Sequence, residues 1–305
     1  MTDVTQVTRM LTMVGRATGR VLAAIEHDDR LDPLAQSLTK TVQKLVPEGP
    51  LRDLLHGAPL GHPAHPFLVQ IPLGTWTSAA VLDMLPFGWF PATALIGVGT
   101  VAAVPAAVTG SVDWSAGHPE QQRVGLVHWA ANATAVVLYS ASLAARLTGH
   151  KRVGKRLAFA GFAAVSVGGY IGGHLAYRQA SGANHTEDVP HLVKDGWHEV
   201  ATLAELPEHE PQRRLLDDVP LMLYREGDRV RALANACSHL SGPLHEGEIE
   251  DDPELGACVT CPWHGSTFAL ADGAVVHGPA TSPQPSFTTR VRDGRVEVSL
   301  PGASG

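Results

Sequence analysis

Cysteine is scarce in this sequence: there are three in 305 residues, all between Cys237 and Cys261. That excludes the disulfide framework of a small secreted domain and leaves metal chemistry as the better use of the thiols. Positive charge is also short, with 23 Lys and Arg against 30 Asp and Glu and a net charge of -7. A chain without a basic footprint cannot neutralise phosphates, so nucleic acid is excluded as a partner. The first residues lack the basic region, apolar core and small-residue cleavage site of a leader, so membrane insertion is expected to use the mature helices. Mean hydropathy is only +0.02, yet four long stretches are nearly free of charge. The length suits two domains of ordinary size.

Residues 66–85, 91–112, 124–145 and 157–177 are apolar runs, each near the ~20 residues that cross a hydrocarbon core. They predict a four-helix transmembrane bundle over residues 55–180, in contact with membrane lipid. A soluble helical core would show shorter runs with a polar stripe. Gly168 with Gly172 and Gly169 with Gly173 are two overlapping small-residue spacings that let another helix approach closely. Residues 1–54 read as an amphipathic helical segment, with Val7, Leu11, Val14, Val21 and Ile25 on one side and Arg9, Arg16 and Arg20 on another. Such helices lie on a lipid surface or pack on the protein's own domains. Asp32-Pro33 and Pro47-Glu48-Gly49-Pro50 punctuate the segment.

Four crossings would put both termini on one side. Arg146, Lys151, Arg152, Lys155 and Arg156 argue that the loop between the last two helices is cytoplasmic; Lys40, Lys44, Arg52, Arg123, Arg178 and Lys194 argue for the opposite side. The tally is close to balanced. The missing leader and missing disulfides incline the C-terminal domain to the cytoplasmic side.

Beyond a linker at 181–195, broken by Gly182, Asn184 and Pro190, the texture changes to short alternating runs. Leu221 to Tyr224, Val230 to Leu233, Ala257 to Thr260 and Val296 to Leu300 are separated by Gly, Asp and Pro turns, so residues 196–305 are expected to be all-β. The fold class is thus multidomain, a helical membrane bundle followed by a β domain.

Cys237-Ser238-His239 and Cys261-Pro262-Trp263-His264 supply two thiolates and two imidazoles. This set suits a two-iron cluster with sulfur ligands on one iron and nitrogen on the other, and it would also satisfy a tetrahedral zinc ion. The neighbouring residues decide between them. Cys237-Ser-His-Leu-Ser-Gly-Pro-Leu and Cys261-Pro-Trp-His-Gly-Ser-Thr-Phe resemble the two cluster-binding loops of the Rieske ferredoxin family, and Asp272-Gly273, Gly278-Pro279-Ala280 and Arg292 to Val298 resemble its later hairpins and proline loop. The resemblance implies a [2Fe-2S] cluster with Cys237 and Cys261 on the inner iron and His239 and His264 on the outer, solvent-facing one.

It further implies that Ser266 donates a hydrogen bond to a cluster sulfur and that Pro279 belongs to the proline loop. Higher-potential members carry a disulfide between the loops and a tyrosine beside the cluster; here Gly242 and Trp263 hold the cysteine positions and Phe268 the tyrosine position. One donor to the reduced state is lost with that hydroxyl, which implies a potential in the lower part of the Rieske range. The 21 residues between His239 and Cys261 exceed the family's usual gap, and Glu250-Asp251-Asp252-Pro253-Glu254 has the composition of a hairpin tip. Its acidity could orient a basic partner, or it is an ordinary solvated turn. Cys258 is expected to be a buried small hydrophobe.

The membrane half resembles the DUF2231-type family of small bacterial membrane domains, which has no assigned function. The resemblance rests on Gly61-His62-Pro63-Ala64-His65-Pro66, Asp83, Thr109 to Trp114, His128 and Gly172 to Tyr177. Topology would put His62, His65, Asp113, His128 and His174 at one membrane face. Intramembrane ionisable groups commonly line a site, so haem b on His128 and His174, another metal, a quinone, or a structural or proton-relay role are the open readings.

Two function classes follow. One is a membrane-anchored one-electron carrier to a membrane or soluble redox partner. The other is a quinone- or haem-linked oxidoreductase subunit, or the ferredoxin component of an oxygenase system. A complete Rieske oxygenase is excluded, because the ~40 residues after His264 leave no room for a mononuclear-iron domain.

Overall fold

The computed structural model describes residues 4–300. Positions 1–3 and 301–305, the ends of the expected N-terminal segment and β domain, lie outside the described residues, as do the side chains of Leu11 and Val14. The chain divides into two compact units: residues 1–45 with 66–181, and residues 46–65 with 182–305.

The first unit is helical. Its helices are α1 (Val4–Glu26), α2 (Asp32–Leu45), α5 (Gln70–Met84), α6 (Trp89–Ser115), α7 (Pro119–Leu147) and α8 (Lys151–Tyr177); between α2 and α5 the chain forms α3 (Pro50–His56), which belongs to the second unit, and α4 (Ala64–Leu68), which straddles the boundary. Helices α5 to α8 pack as a four-membered ring in which each touches the next and α5 meets α8. Its core is Trp76, Ile96, Ala103, Ala135, Tyr139, Ala158 and Val165, with the Trp76 and Tyr139 rings stacked 4.2 Å apart.

Three of the four expected spans, α6, α7 and α8, are long and apolar enough to cross a membrane. The first run is not: it breaks at Val69 into α4 and a 15-residue α5, about 22 Å long against a ~30 Å hydrocarbon core. Pro72 explains the break, because it cannot donate to the Leu68 carbonyl and its ring crowds that group. Outward-facing Phe90, Val101, Val104 and Val137 are more than half exposed. An exterior of this kind is suited to hydrocarbon, not water, so the helical unit is built for membrane integration.

Of the two glycine spacings on α8, one is a packing face. A Cβ on Gly168 would meet the Asn132 side chain at 2.6 Å and one on Gly172 would meet His128 at 3.0 Å, whereas nothing lies within 4 Å of Gly169 or Gly173. The two pairs are a residue apart, ~100° round the helix, so only one can face α7.

Arg146 does not belong to the positive loop where its sequence position put it. It is 4% exposed inside the bundle and bonds Asp83 through two nitrogens, Ser142 Oγ at 3.1 Å and Thr93 Oγ1 at 3.4 Å, with its guanidinium 4.7 Å from the Trp89 ring centre. Its charge is neutralised internally and drops out of the orientation tally. At the N-terminus, Leu22 and Ile25 of α1 pack with Val124 and Ile171. Arg123 grips Asp32 at 2.6 and 2.8 Å and the Glu26 carbonyl at 2.7 Å. The C-terminal part of the amphipathic segment therefore packs on the protein's own helices.

The second unit is an antiparallel β structure. Its strands are β1 (His198–Thr202), β2 (Gln212–Leu216), β3 (Val219–Glu226), β4 (Arg229–Ala234), β5 (Glu248–Asp252), β6 (Gly256–Thr260), β7 (Thr267–Ala269), β8 (Val275–His277), β9 (Ser286–Arg292) and β10 (Arg295–Ser299). One sheet runs β1-β10-β9-β4-β3-β2 and the other β5-β6-β7-β8. One apolar core gathers Leu216, Val219, Leu221, Leu223, Phe287, Val296 and Val298. The other gathers Met222, Leu233, Leu244, Val259, Phe268 and Leu270 with Cys237 and Cys261.

The acidic surplus forms the β5–β6 hairpin, whose tip is closed by Asp252 accepting the Glu254 and Leu255 N–H groups at 2.8 and 2.9 Å. Those two bonds hold its carboxyl below the usual carboxylate range. Cys258 is buried on β6, and burial pushes its thiol up. In the linker, Pro190 does not prevent a helix. It stands in the first turn of α9 (Val189–Leu192), where its missing N–H has no intrahelical partner to lose.

Residues 46–65, divided by the sequence reading between the N-terminal segment and the bundle, fold with these sheets. The segment starts α3 on Pro50 and stops it at Gly57, whose φ of +90° only glycine tolerates readily.

Replacing Asp83 alone by Leu, or Arg146 alone by Met, is expected to cost about 3–5 kcal/mol of stability by stranding the partner's charge. The double replacement should recover most of it, which thermal unfolding in detergent followed by circular dichroism will show.

Candidate metal centre

Each of the two cysteines opens a loop, and the two loops are built alike. In the first, Cys237 N–H donates to the Gly242 carbonyl at 2.8 Å and the Cys237 carbonyl accepts from Ser241 N–H at 2.8 Å. In the second, Cys261 N–H donates to the Ser266 carbonyl at 2.8 Å and the Cys261 carbonyl accepts from Gly265 N–H at 3.1 Å. The fourth residue after each cysteine has positive φ, Ser241 at 61° and Gly265 at 75°, which turns the chain back on itself. Two backbone N–H groups are thereby aimed at each sulfur: those of His239 and Leu240 at Cys237, and those of Trp263 and His264 at Cys261. Such paired donors favour negative charge.

Cys237 and Cys261 are 1% and 3% exposed and share a hydrogen bond. That bond is the main influence on Cys261; with the Trp263 and His264 N–H groups it outweighs burial and lowers the thiol to about 7. The same bond, then burial, pushes the Cys237 thiol up. His239 and His264 are half-buried, their rings edge to face with centres 5.1 Å apart. The donors are thus paired sulfur with sulfur and imidazole with imidazole. Two sulfurs on the buried side and two nitrogens on the exposed side fit a two-metal cluster better than one tetrahedral zinc.

Ser266 is fully buried and its Oγ accepts Ala280 N–H at 3.0 Å, which leaves the hydroxyl proton to be donated. Phe268 is fully buried in the core beneath the cysteines, and Pro279 follows Gly278 through a cis peptide bond. Trp263 is 50% exposed. A Cβ on Gly242 would stand 2.6 Å from Cys261 Sγ and 3.2 Å from the Trp263 ring, so the absent side chain is what lets the two loops close.

Three supports escape a reading by motif. Gln284, 1% exposed, accepts Ser238 N–H at 2.9 Å and donates to the Ala234 and Ala236 carbonyls at 2.7 and 2.5 Å. Asn235 Oδ1 accepts His245 N–H at 2.9 Å. In the linker, His185 N–H donates to the Ser238 carbonyl at 2.9 Å. Gln284 lies in Ser-Pro-Gln-Pro, a turn by composition and silent about its target.

His62 and His65 belong to the second unit, His62 exposed and His65 half-buried. In the helical unit Asp113 is half-buried, His128 Nδ1 lies 2.9 Å from the Gly168 carbonyl, and His174 Nε2 lies 2.7 Å from Glu26 Oε1. The two imidazoles considered for haem are held by protein partners.

Gly242→Ala should force the two loops apart. Iron and acid-labile sulfide bound per purified chain are expected to fall several-fold, while far-ultraviolet circular dichroism stays unchanged.

Comparison with known proteins identifies both halves of the chain. The family model described as Rieske [2Fe-2S] domain matches residues 196–288, and that described as predicted membrane protein (DUF2231) matches residues 61–185. The anthranilate 1,2-dioxygenase ferredoxin subunit of Burkholderia cepacia is 35% identical over 104 residues, 34% of this chain and 92% of that protein. The 3-phenylpropionate/cinnamic acid dioxygenase ferredoxin subunit of Escherichia coli (strain K12) is 34% identical over 102 residues, 33% of this chain and 91% of that protein. Among solved structures, the ferredoxin of carbazole 1,9a-dioxygenase from Nocardioides aromaticivorans IC177 is 28% identical with a TM-score of 0.32, covering 34% of this chain and 98% of that one. With more than nine-tenths of a curated relative covered at 35% identity, the chain belongs to the Rieske [2Fe-2S] family, its β domain joined to a DUF2231 membrane domain.

Proposed function

We propose that this chain is a membrane-anchored one-electron carrier whose [2Fe-2S] cluster is held by Cys237, His239, Cys261 and His264. The observation that carries the reading is the pairing of two buried sulfurs with two half-buried imidazoles across loops of identical construction. When bound, the cluster supplies a one-electron couple.

The chain's own residues do the rest. The N–H pairs at Cys237 and Cys261 offset the charge of thiolate sulfur, and Ser266 offers a further proton. Phe268 and Leu244 close the buried side to water. His239 and His264, with exposed Trp263 beside them, form the edge at which a partner exchanges the electron.

The curated relatives are ferredoxin subunits of dioxygenases, which favours a redox protein as partner and supports, as a second reading, the ferredoxin component of an oxygenase system. A membrane partner is the first reading because the cluster domain is fused to apolar helices that a diffusible ferredoxin does not need. The bundle is proposed to span with α6, α7 and α8, the shorter α5 packing among them. The cluster domain is assigned to the cytoplasmic side, where a free Cys258 stays reduced. His128 and His174, engaged by Gly168 and Glu26, are assigned structural roles.

Redox titration of the reduced, purified chain tests the carrier reading. A midpoint nearer about −150 mV than about +300 mV is expected, since Phe268 offers no hydroxyl and Gly242 no disulfide. A value typical of quinol-oxidising complexes, or a Soret band in the absorption spectrum, would contradict it.

A further inference from the structure

The β unit carries a segment that the Rieske match does not include. Residues 46–65 are continuous with the helical unit at Leu45 and Pro66, yet they fold against the sheets as a strap made of α3, the turn Ala58–Leu60 and the start of α4. From this strap Asp53 reaches the proline loop. Its Oδ1 accepts Gly278 N–H at 2.8 Å and its Oδ2 lies 2.9 Å from His277 Nδ1, with the carboxyl only 13% exposed. Three residues on, His56 is 1% exposed and packs on the same loop, where a Cβ at Gly278 would stand 3.4 Å from its Cδ2.

The loop then hands its position to the cluster site. Ala280, two residues beyond Gly278, donates its N–H to Ser266 Oγ at 3.0 Å, and the Ser266 carbonyl accepts the N–H of Cys261 at 2.8 Å. Three hydrogen bonds, linked by the covalent chain of residues 278–280 and by Ser266 itself, thus join Asp53 to a proposed ligand. A hydrogen bond to a carboxylate is stronger than one between neutral groups, and Asp53 makes two from a helix fixed at both ends by Pro50 and Gly57.

We propose that Asp53 is a positioning residue for the cluster: the strap's carboxylate fixes the proline loop, and the loop orients Ser266 toward the cluster sulfur. The inference deepens the carrier reading and rests on it for the role of Ser266. It makes the segment leaving the membrane helices part of the redox centre's support.

The test uses the full chain in detergent with two variants, Asp53→Ala and Asp53→Asn. Asn keeps an oxygen for Gly278 N–H while removing the charge, so it separates position from electrostatics. Amide exchange read by mass spectrometry over residues 275–282 is expected to become at least about ten-fold faster in Asp53→Ala, as the loss of the Gly278 hydrogen bond to a charged group implies, the His277 bond being lost with it. The midpoint potential and the EPR line shape should move with it, and Asp53→Asn should restore slow exchange and the native line shape. Wild-type exchange and EPR in Asp53→Ala would overturn the proposal, as would an Asn variant as altered as the Ala one. Iron and sulfide content of the unmutated chain reports separately on the carrier reading, because loop exchange is measured whether or not the cluster is there.

Discussion

The redox half depends on how two cysteine backbones are tied. In each loop the cysteine's N–H is bonded to the residue five positions on and its carbonyl to the residue four positions on. The side chain is then the free arm of a closed turn, and successive N–H groups of that turn point at its sulfur. Buried thiolate would otherwise be costly, as any unpaired charge in an apolar core is. Here the backbone N–H groups supply part of the compensation: with the Cys237 bond they outweigh burial at Cys261, whereas at Cys237 the shared bond and burial still prevail. The remaining features follow from that constraint. Gly242 lets the loops meet, Ser241 and Gly265 accept the backward turn, Gln284 ties the first loop to β4 and Ser266 ties the second to the proline loop.

The helical half solves a different problem with related means. Its outer face is apolar, so its inner face must be satisfied without water. Small residues on α8 bring α7 close, and charged groups pair with one another: Arg146 with Asp83 in the interior, and His174 with Glu26 and Arg123 with Asp32 nearer the surface. The latter two join α1 and α2 to the bundle. What reads in the sequence as an excess of basic residues at helix ends is in part a set of internal pairs.

How much of this was legible depends on whether the signal was local. The four apolar runs and the change to alternating strands after residue 195 mark both halves, and the cysteine–histidine spacing names the centre. The broken first span was legible in principle, since Pro72 sits where a helix through Leu68 must lose a bond. The glycine pair Gly169 and Gly173 misled because spacing alone does not say which side of a helix faces a neighbour. Asp53 lies 225 residues from Gly278 and Gln284 lies 46 from Ser238; no period or motif links such positions, so only the folded chain brings them together.

The account turns on two sulfurs and two imidazoles sharing one pair of irons. Its most direct measurement is pulsed EPR of the anaerobically reduced chain grown with 15N-histidine. Two strongly coupled imidazole nitrogens, in a protein holding equal amounts of iron and sulfide, are the predicted result. A colourless protein holding zinc, or a reduced cluster showing no histidine nitrogen coupling, would contradict it.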